Sequence, residues 1–199
     1  MLTDRTDTRA KLWRTASVQR GYFTAAQAKD AGYSYQAQRY HTQHGNWLQV
    51  DRAIYRFREF VDLPAEGDEQ LVRWSLWSKG RAAVSHATAL TMHDLGTASP
   101  SRIHMTVPRN FRQQTDALIL HRAELTEGDV EERVGYRVTT PLRALVECAA
   151  VGEDQNALDI AIAKALSQGL VTQPKLLYAA QQVGPRAELG VERALAAAS

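Results

Sequence analysis

Residues 21–57 read GYFTAAQAKDAGYSYQAQRYHTQHGNWLQVDRAIYRF, and this stretch decides the fold of the N-terminal part of the chain. Thr24 can cap a helix over AAQAKDA and Gly32 can end it, because a side-chain oxygen satisfies free N–H groups and glycine adopts left-handed backbone angles. Ser34 can cap a second helix over YQAQRYHTQH, which closes at Gly45. Two short helices separated by a glycine and a capping serine have the layout of a helix-turn-helix.

After the second helix the spacing of apolar residues changes from a helical to a strand-like pattern. In WLQVDRAIYRF, residues 47–57, two short runs of strand-forming residues flank Asp51 and Arg52. This pattern predicts a β-hairpin, and a hairpin directly after the second helix is a wing. We expect Trp47 and Tyr55 to pack the hairpin on the helices rather than to stack on bases.

The rest of the chain predicts a second domain with mixed α and β structure and a helical C-terminus. Pro64 and Gly67 mark residues 61–67 as a linker. We therefore predict an α+β protein with a winged helix-turn-helix over residues 1–60 and a small mixed domain over 68–199. Helices are predicted over 5–19, 69–78 with Asp68 as the cap, 86–95, 141–151, 155–170, 172–184 and 185–199, and strands over 82–85, 102–108, 117–125 and 134–140.

Composition restricts the kind of protein. It is that of an ordinary globular chain, with no bias toward disorder or fibres. No apolar run approaches the ~18 residues of a membrane span, and the polar start of the chain lacks the apolar stretch of a secretory signal. We expect a cytoplasmic protein with no membrane partner, in which Cys148 of the apolar run ALVECAAV is buried.

Charge is unevenly distributed along the chain. Residues 1–60 contain ten Lys and Arg against five Asp and Glu, a net charge of +5. Residues 61–199 contain fourteen against seventeen, a net charge of −3, so the two parts give the overall +2. A basic N-terminal part favours an anionic partner for the first sixty residues, and a solvated basic surface is the alternative.

On a helical wheel the second helix of the pair separates into two faces. We expect a core side made of Ala37, Tyr40, His41 and His44. The opposite side is polar and rich in amides, and it holds Tyr35, Gln38, Arg39 and Thr42, with Gln36 and Gln43 at its flank. Glutamine pairs with adenine and arginine with guanine through two hydrogen bonds, and no carboxylate occurs between Asp30 and Asp51 to repel phosphate. The helix is therefore predicted to read the major groove, the alternative being a solvated face.

Further candidate DNA contacts flank this helix. Thr24 and Gln27 begin the first helix of the pair, where free N–H groups favour a phosphate, and Ser34 begins the second. Three arginines near the hairpin turn and its second strand can donate to phosphates or enter the minor groove: Arg52, Arg56 and Arg58. These residues and the polar helix face together form the predicted DNA-binding site.

The same stretch resembles the N-terminal winged-helix domain of AbiEi-family antitoxins. The residues that carry the resemblance are Gly21-Tyr22-Phe23-Thr24, Gln27-Ala28, Ala31-Gly32-Tyr33-Ser34, His44-Gly45, Trp47, Val50 and Arg52-x-x-Tyr55. Four later blocks are also similar, so the likeness extends over nearly the whole chain: VSHATALTMHDL (84–95), IHMTVPR (103–109), HRAEL (121–125) and VTTPLRAL (138–145). One departure is Ala53, where many relatives carry glycine, and alanine resists the positive φ that suits such a turn.

The resemblance implies a function. AbiEi-family antitoxins pair with nucleotidyltransferase toxins in type IV toxin–antitoxin systems. The chain is accordingly expected to bind double-stranded DNA at inverted repeats in its own promoter, to repress its operon, and to counteract such a toxin through its C-terminal domain. The alternative is a stand-alone winged-helix transcriptional regulator without a toxin partner. No cofactor is implied.

An enzyme is the rival class, and a metal-dependent nuclease would need carboxylates clustered with a lysine. Carboxylates are dense between two predicted strands, in a turn-like stretch that indicates a solvated acidic loop: Glu124, Glu127, Asp129, Glu131 and Glu132. Neither a phosphate-binding loop nor a nucleophile elbow occurs in the sequence. We therefore expect no catalytic residues.

Four histidines of the second domain are candidates for a metal site: His86, His93, His104 and His121. Without cysteines beside them and without His-x-x-x-His spacing, we expect capping or core hydrogen bonding and no metal. A third possible class of function is a pure interaction module. The apolar C-terminal runs ALDIAIAKAL and ERALAAAS favour it, because they could form a surface that binds a partner as well as a core.

Overall fold

A computed structural model of the protein describes residues 2–64, 67–96, 100–152 and 154–197, with side chains from residue 7 onward. Helices and two β-sheets form a mixed α+β fold, which confirms the predicted class. The chain divides into two compact units, the first Met1–Gly80 with Arg133–Tyr136 and the second Arg81–Glu132 with Arg137–Ser199. Among the described residues, no helix is both long and apolar enough to cross a membrane.

The first unit combines helices with a small antiparallel sheet. Its elements in chain order are α1 (Leu2–Ser17), β1 (Tyr22–Thr24), α2 (Ala25–Ala31), α3 (Tyr35–Gln43), β2 (Trp47–Asp51), β3 (Ile54–Phe57), α4 (Arg58–Val61) and α5 (Glu69–Trp77). Strand β3 lies in the middle of the sheet and pairs antiparallel with β1 and β2. The two predicted short helices and the predicted hairpin are thus confirmed as elements.

Local signals set the ends of α2 and α3 as the sequence predicted. The Thr24 hydroxyl accepts a hydrogen bond from the Gln27 N–H, and the Gln27 side chain accepts one from the Thr24 N–H, which forms a reciprocal capping box. Gly32 ends α2 with a φ of 113°. The Ser34 hydroxyl accepts a hydrogen bond from the Ala37 N–H at 3.2 Å and so begins α3.

Aromatic side chains form the core of the first unit. Phe23 of β1 is fully buried, and the centre of its ring lies 4.8 Å from the ring centres of both Trp47 and Phe57. Leu12 and Ala16 of α1 belong to the same buried cluster. Burial of one such large side chain stabilises a fold by about 1.5–3 kcal/mol. The predicted packing role of Trp47 is confirmed.

Helix α5 extends the first unit beyond the predicted linker. We placed residue 68 onward in the second domain, but α5 packs on strands β1 and β3, and the first unit ends at Gly80. Asp68 directly precedes α5, as predicted, but its carboxylate accepts two hydrogen bonds from Arg20, each 3.1 Å long, and does not cap the helix. Residues 65–66 of the predicted linker lie outside the described residues.

The second unit has a mixed five-stranded sheet and a group of C-terminal helices. Its elements are β4 (Ala83–Val84), α6 (His86–Met92), β5 (Ile103–Val107), β6 (Leu118–Arg122), β7 (Val130–Arg133), β8 (Tyr136–Thr139), α7 (Pro141–Val151), α8 (Gln155–Ser167), α9 (Gln173–Val183) and α10 (Pro185–Ala197). The last residue of β7 and the first of β8, Arg133 and Tyr136, are counted with the first unit. The strand order is β6-β5-β4-β8-β7, in which β4 is antiparallel to β5 and parallel to β8. Cys148 of α7 is buried, as predicted.

The acidic stretch after β6 differs from the predicted loop. Glu127–Asp129 form one turn of 3-10 helix, and Val130–Arg133 form the edge strand β7. The Asp129 carboxylate accepts hydrogen bonds from the N–H and the hydroxyl of Thr126, both 2.8 Å long. An edge strand with charged residues is a common protection against pairing with other chains, so the acidic composition is compatible with strand structure.

The hairpin turn between β2 and β3 contains Ala53 at a φ of +59°. The Ala53 carbonyl accepts a hydrogen bond from the Ala25 N–H at 2.9 Å, which ties the turn to the start of α2. Alanine thus adopts a left-handed conformation, which costs on the order of 1–3 kcal/mol in a residue other than glycine.

We expect Ala53→Gly to raise the free energy of unfolding by about 1 kcal/mol, because the relieved strain exceeds the added entropy of the unfolded chain. The control Ala26→Gly makes the same change at an exposed position inside α2, and should lower stability by about 1 kcal/mol. Denaturant titration measures both. A less stable Ala53→Gly variant would show that the turn is not strained.

Candidate nucleic-acid interface

The rotation of α3 about its axis is set by one buried amide. Gln38 is only 3% exposed, and its Nε2 donates to the carbonyls of Ala25 and Tyr33, both at 3.2 Å. The Thr42 hydroxyl, on the next turn, donates to the Gln38 carbonyl. The predicted placement of Gln38 on the exposed face is therefore wrong, because two backbone acceptors at the start of α2 and in the inter-helix turn draw its side chain inward.

The core side of α3 also differs from the prediction. Tyr40 is 54% exposed, and its ring stacks on that of His44 with 3.9 Å between centroids. Neither residue lies in the core. His41 is half-buried and stacks on Trp47 with a centroid distance of 4.8 Å, as the core side requires. The helix is thus turned so that Gln38 takes the inner position that we assigned to Tyr40.

Five side chains of α3 point to solvent, and we call them the outward face: Tyr35, Gln36, Arg39, Tyr40 and Gln43. Four of them are predicted DNA contacts, and the fifth, Tyr40, was predicted to lie in the core. The Lys29 ammonium lies 5.7 Å from the centre of the Tyr35 ring, so a second cation adjoins this face. Thr42, also predicted to contact DNA, is half-buried and hydrogen-bonded inside its own helix.

The start of α2 is occupied by contacts within the protein. The Gln27 amide oxygen accepts from the Thr24 N–H at 2.8 Å, and its Nε2 donates to Gln19 at 2.9 Å. Both ends of this amide therefore have partners, and the predicted phosphate contact by the Gln27 side chain does not fit the structure. Thr24 and Ser34 have the capping roles already described.

The three hairpin arginines differ in their surroundings. Arg52 is exposed at the turn, where its N–H donates to the Asp51 carboxylate. Arg56 is half-buried: its Nε donates to the Arg20 carbonyl at 3.1 Å, and its guanidinium lies 4.8 Å from the centre of the Tyr22 ring. The prediction that Arg56 contacts DNA is thus at odds with its packing. Arg58 is exposed and begins α4 rather than lying in β3.

An ion pair connects the hairpin to α5. Nη2 of Arg73 donates to the Asp51 carboxylate at 2.9 Å, and this hydrogen bond holds the pKa of the Asp51 carboxyl below its usual range. The carboxylate nearest the hairpin turn is therefore neutralised inside the first unit. Among the described residues the exposed Arg52 guanidinium has no carboxylate partner, so its charge at the turn is available to an anion.

Three of the four candidate histidines lie together in the second unit, which the sequence did not predict: His86, His104 and His121. Burial, and then the neighbouring His121, lowers the pKa of His86 to about 2, and burial lowers that of His121 to about 4. Burial also raises the pKa of the Glu147 carboxyl, which lies beside His86. Since the three rings come from three separate elements, no short spacing motif predicts their approach.

Comparison with known proteins shows the fold. No protein-family model matches the sequence, and no curated protein matches it either. The structure is similar to the crystal structure of the RV2827C protein from Mycobacterium tuberculosis, with a TM-score of 0.64 and 14% sequence identity. The similarity covers 96% of this chain and 77% of that one. At this identity the likeness concerns the fold alone.

The orientation of α3 can be tested by stability. Gln38→Ala removes two hydrogen bonds and leaves two backbone carbonyls with fewer donors, so the free energy of unfolding should fall by about 1–3 kcal/mol. Gln36→Ala, two residues earlier on the outward face, should change it by no more than about 0.5 kcal/mol. Chemical denaturation measures the free energy of unfolding of both variants. Equal effects would contradict the inward position of Gln38.

Proposed function

We propose that the first unit is a winged helix-turn-helix that binds double-stranded DNA, with α3 in the major groove and the β2–β3 hairpin as the wing. The observation that carries this proposal is the outward face of α3, with its two amides, its arginine and no carboxylate. A helix with its side chains is about 10–12 Å across, which suits a major groove about 12 Å wide.

The chemistry of the outward face suits base reading. Gln36 and Gln43 can each offer a donor and an acceptor to adenine, and Arg39 can donate twice to guanine. Tyr35, which is 70% exposed, offers a hydroxyl to a phosphate and a ring to the sugar edge. The exposed Arg52 at the hairpin turn suits a phosphate or the minor groove.

Charge supports an anionic partner for the first unit. It contains thirteen Lys and Arg against nine Asp and Glu, a net charge of +4, while the second unit has eleven against thirteen. Three of its carboxylates accept hydrogen bonds from arginines of the same unit: Asp51, Asp68 and Glu59. The remaining cations give a field that favours phosphate.

We expect the full-length protein to select a preferred sequence from a randomised duplex library, with affinity that falls as salt rises because phosphate contacts release counterions. Arg39→Ala should weaken binding to the preferred duplex by about 1–3 kcal/mol and relax the sequence preference at the base pair that Arg39 contacts. Arg52→Ala should weaken binding to all sequences alike, and it should reduce the slope of log K against log salt concentration by about 1. Fluorescence anisotropy measures each.

The matched control is Arg112→Ala, which removes the same charge from an exposed position of the second unit and should leave binding unchanged. Absence of duplex binding even at low salt would refute the DNA proposal. An unchanged sequence preference in Arg39→Ala would refute the assignment of α3 as the reading helix.

The resemblance to AbiEi-family antitoxins extends the proposal. The chain is then a repressor of its own operon, acting at inverted repeats, and it counteracts a nucleotidyltransferase toxin without itself being an enzyme. The second candidate is a stand-alone winged-helix regulator, since the DNA-binding features are confined to the first unit and require no toxin. The gene next to this one discriminates between the two candidates.

Repression and neutralisation should be separable. Replacing Gln36, Arg39 and Gln43 together with alanine changes only exposed positions, so the fold should survive. This variant should lose repression of a reporter behind its own promoter, yet rescue growth when the adjacent nucleotidyltransferase is expressed from an unrelated promoter. A folded variant that loses both activities would mean that they share one surface. Repression without any rescue by the unaltered chain would favour the stand-alone regulator.

A further inference from the structure

Three histidine rings converge in the second unit from three elements. His104 lies on β5 and His121 on the neighbouring parallel strand β6, where the register pairs His121 with Thr106. His104 and His121 are thus offset by two residues and lie on the same face of the sheet. Nδ1 of His104 and Nε2 of His121 are 3.2 Å apart.

The third ring comes from the start of α6. His86 is buried and stacks on His121, with 3.5 Å between ring centroids and 15° between planes. One nitrogen from each of the three rings lies within 4.8 Å of the others. Of the three residues, His104 and His121 are only half-buried, so the group is not fully enclosed.

The backbone at His86 is unusual. Its φ is +53°, in the left-handed region that residues other than glycine rarely adopt. Such strain persists only where the surroundings impose it, and it is concentrated at functional positions. His86 with this backbone angle contacts the rings of both other histidines.

A second layer of polar groups orients this ring. The Ser85 hydroxyl is 2.9 Å from Nδ1 of His86, and Oε2 of Glu147 is 3.7 Å from the same nitrogen. Glu147 is itself held by Thr106 and Arg143 through its other oxygen. With the Ser85 hydroxyl on Nδ1 and the Glu147 carboxylate nearby, Nε2 of His86 is the nitrogen left for a ligand, and metal-binding histidines typically have their other nitrogen held in this way.

We propose that His86, His104 and His121 form a binding site for a divalent transition-metal ion of the Zn²⁺ class. In a tetrahedral site with Zn–N bonds of about 2.0–2.1 Å, ligand nitrogens are about 3.3 Å apart. The His104–His121 pair already has this spacing, and a shift of the His86 side chain toward the pair, from within 4.8 Å, would bring the third nitrogen in. The fourth position is left to water or to an exogenous ligand.

The site is tested on untagged full-length protein that has been stripped of metal with a chelator. Titration with Co²⁺ should give visible d–d absorption that saturates at one ion per chain and is abolished by one equivalent of Zn²⁺. His104→Asn and His121→Asn should each lose this signal. Glu147→Gln should weaken affinity by roughly 10–100-fold, as expected for a group that orients a ligand.

The control is His93→Asn, which replaces a histidine of the same unit that contacts the Thr139 carbonyl instead of the cluster, and which should bind Co²⁺ normally. A measurement on the unaltered chain keeps the test valid if a variant fails to fold: Zn²⁺ should shift the imidazole NMR signals of His86, His104 and His121, and leave that of His93 in place. No saturable Co²⁺ signal, or equal binding by the two Asn variants, would overturn the proposal.

Discussion

The hydrogen bonds of the Gln38 side chain set the geometry of the first unit's surface. A buried amide must have its donors and acceptors satisfied, and Nε2 of Gln38 meets this requirement with the carbonyls of Ala25 and Tyr33. These two acceptors belong to the start of α2 and to the turn before α3. The amide therefore fixes both the angle between the helices and the rotation of α3, and with them the identity of every side chain on the outward face.

Aromatic packing then positions the hairpin against this helix pair. Trp47 begins β2 and lies between His41 of α3 and Phe23 of β1, so one ring joins helix, hairpin and central core. At the other end of the hairpin, the Asp51–Arg73 ion pair ties the turn to α5. These contacts hold α3 and the hairpin turn with Arg52 in the same compact unit, and this is the physical basis for proposing that both contact the same ligand.

Much of this arrangement could be predicted from the sequence, because helix ends and hairpins depend on local signals. Thr24, Gly32 and Ser34 set the ends of α2 and α3 as expected. The rotation of α3 could not be predicted in the same way. A helical wheel places aromatic residues in the core and amides in solvent. In this protein Gln38 is buried, because carbonyl groups elsewhere in the fold accept hydrogen bonds from its amide, and Tyr40 is exposed to solvent.

Other errors have the same origin in tertiary contacts. Arg56 packs over Tyr22, and Asp68 pairs with Arg20 instead of capping α5, and neither partner is adjacent in sequence. The edge strand β7 was missed because its charged residues resemble a loop when their sheet neighbours are unknown. The histidine cluster depends on the pairing of two parallel strands, β5 and β6, with the start of α6, which no spacing within one element reveals.

NMR chemical-shift mapping of the full-length protein, as its selected duplex is added, tests whether α3 presents its outward face to the DNA major groove. We expect the largest shifts on the outward face of α3 and at the hairpin turn around Arg52, with the side-chain amide of Gln38 unchanged. Shifts confined to the second unit, or centred on the inward face of α3, would contradict this expectation.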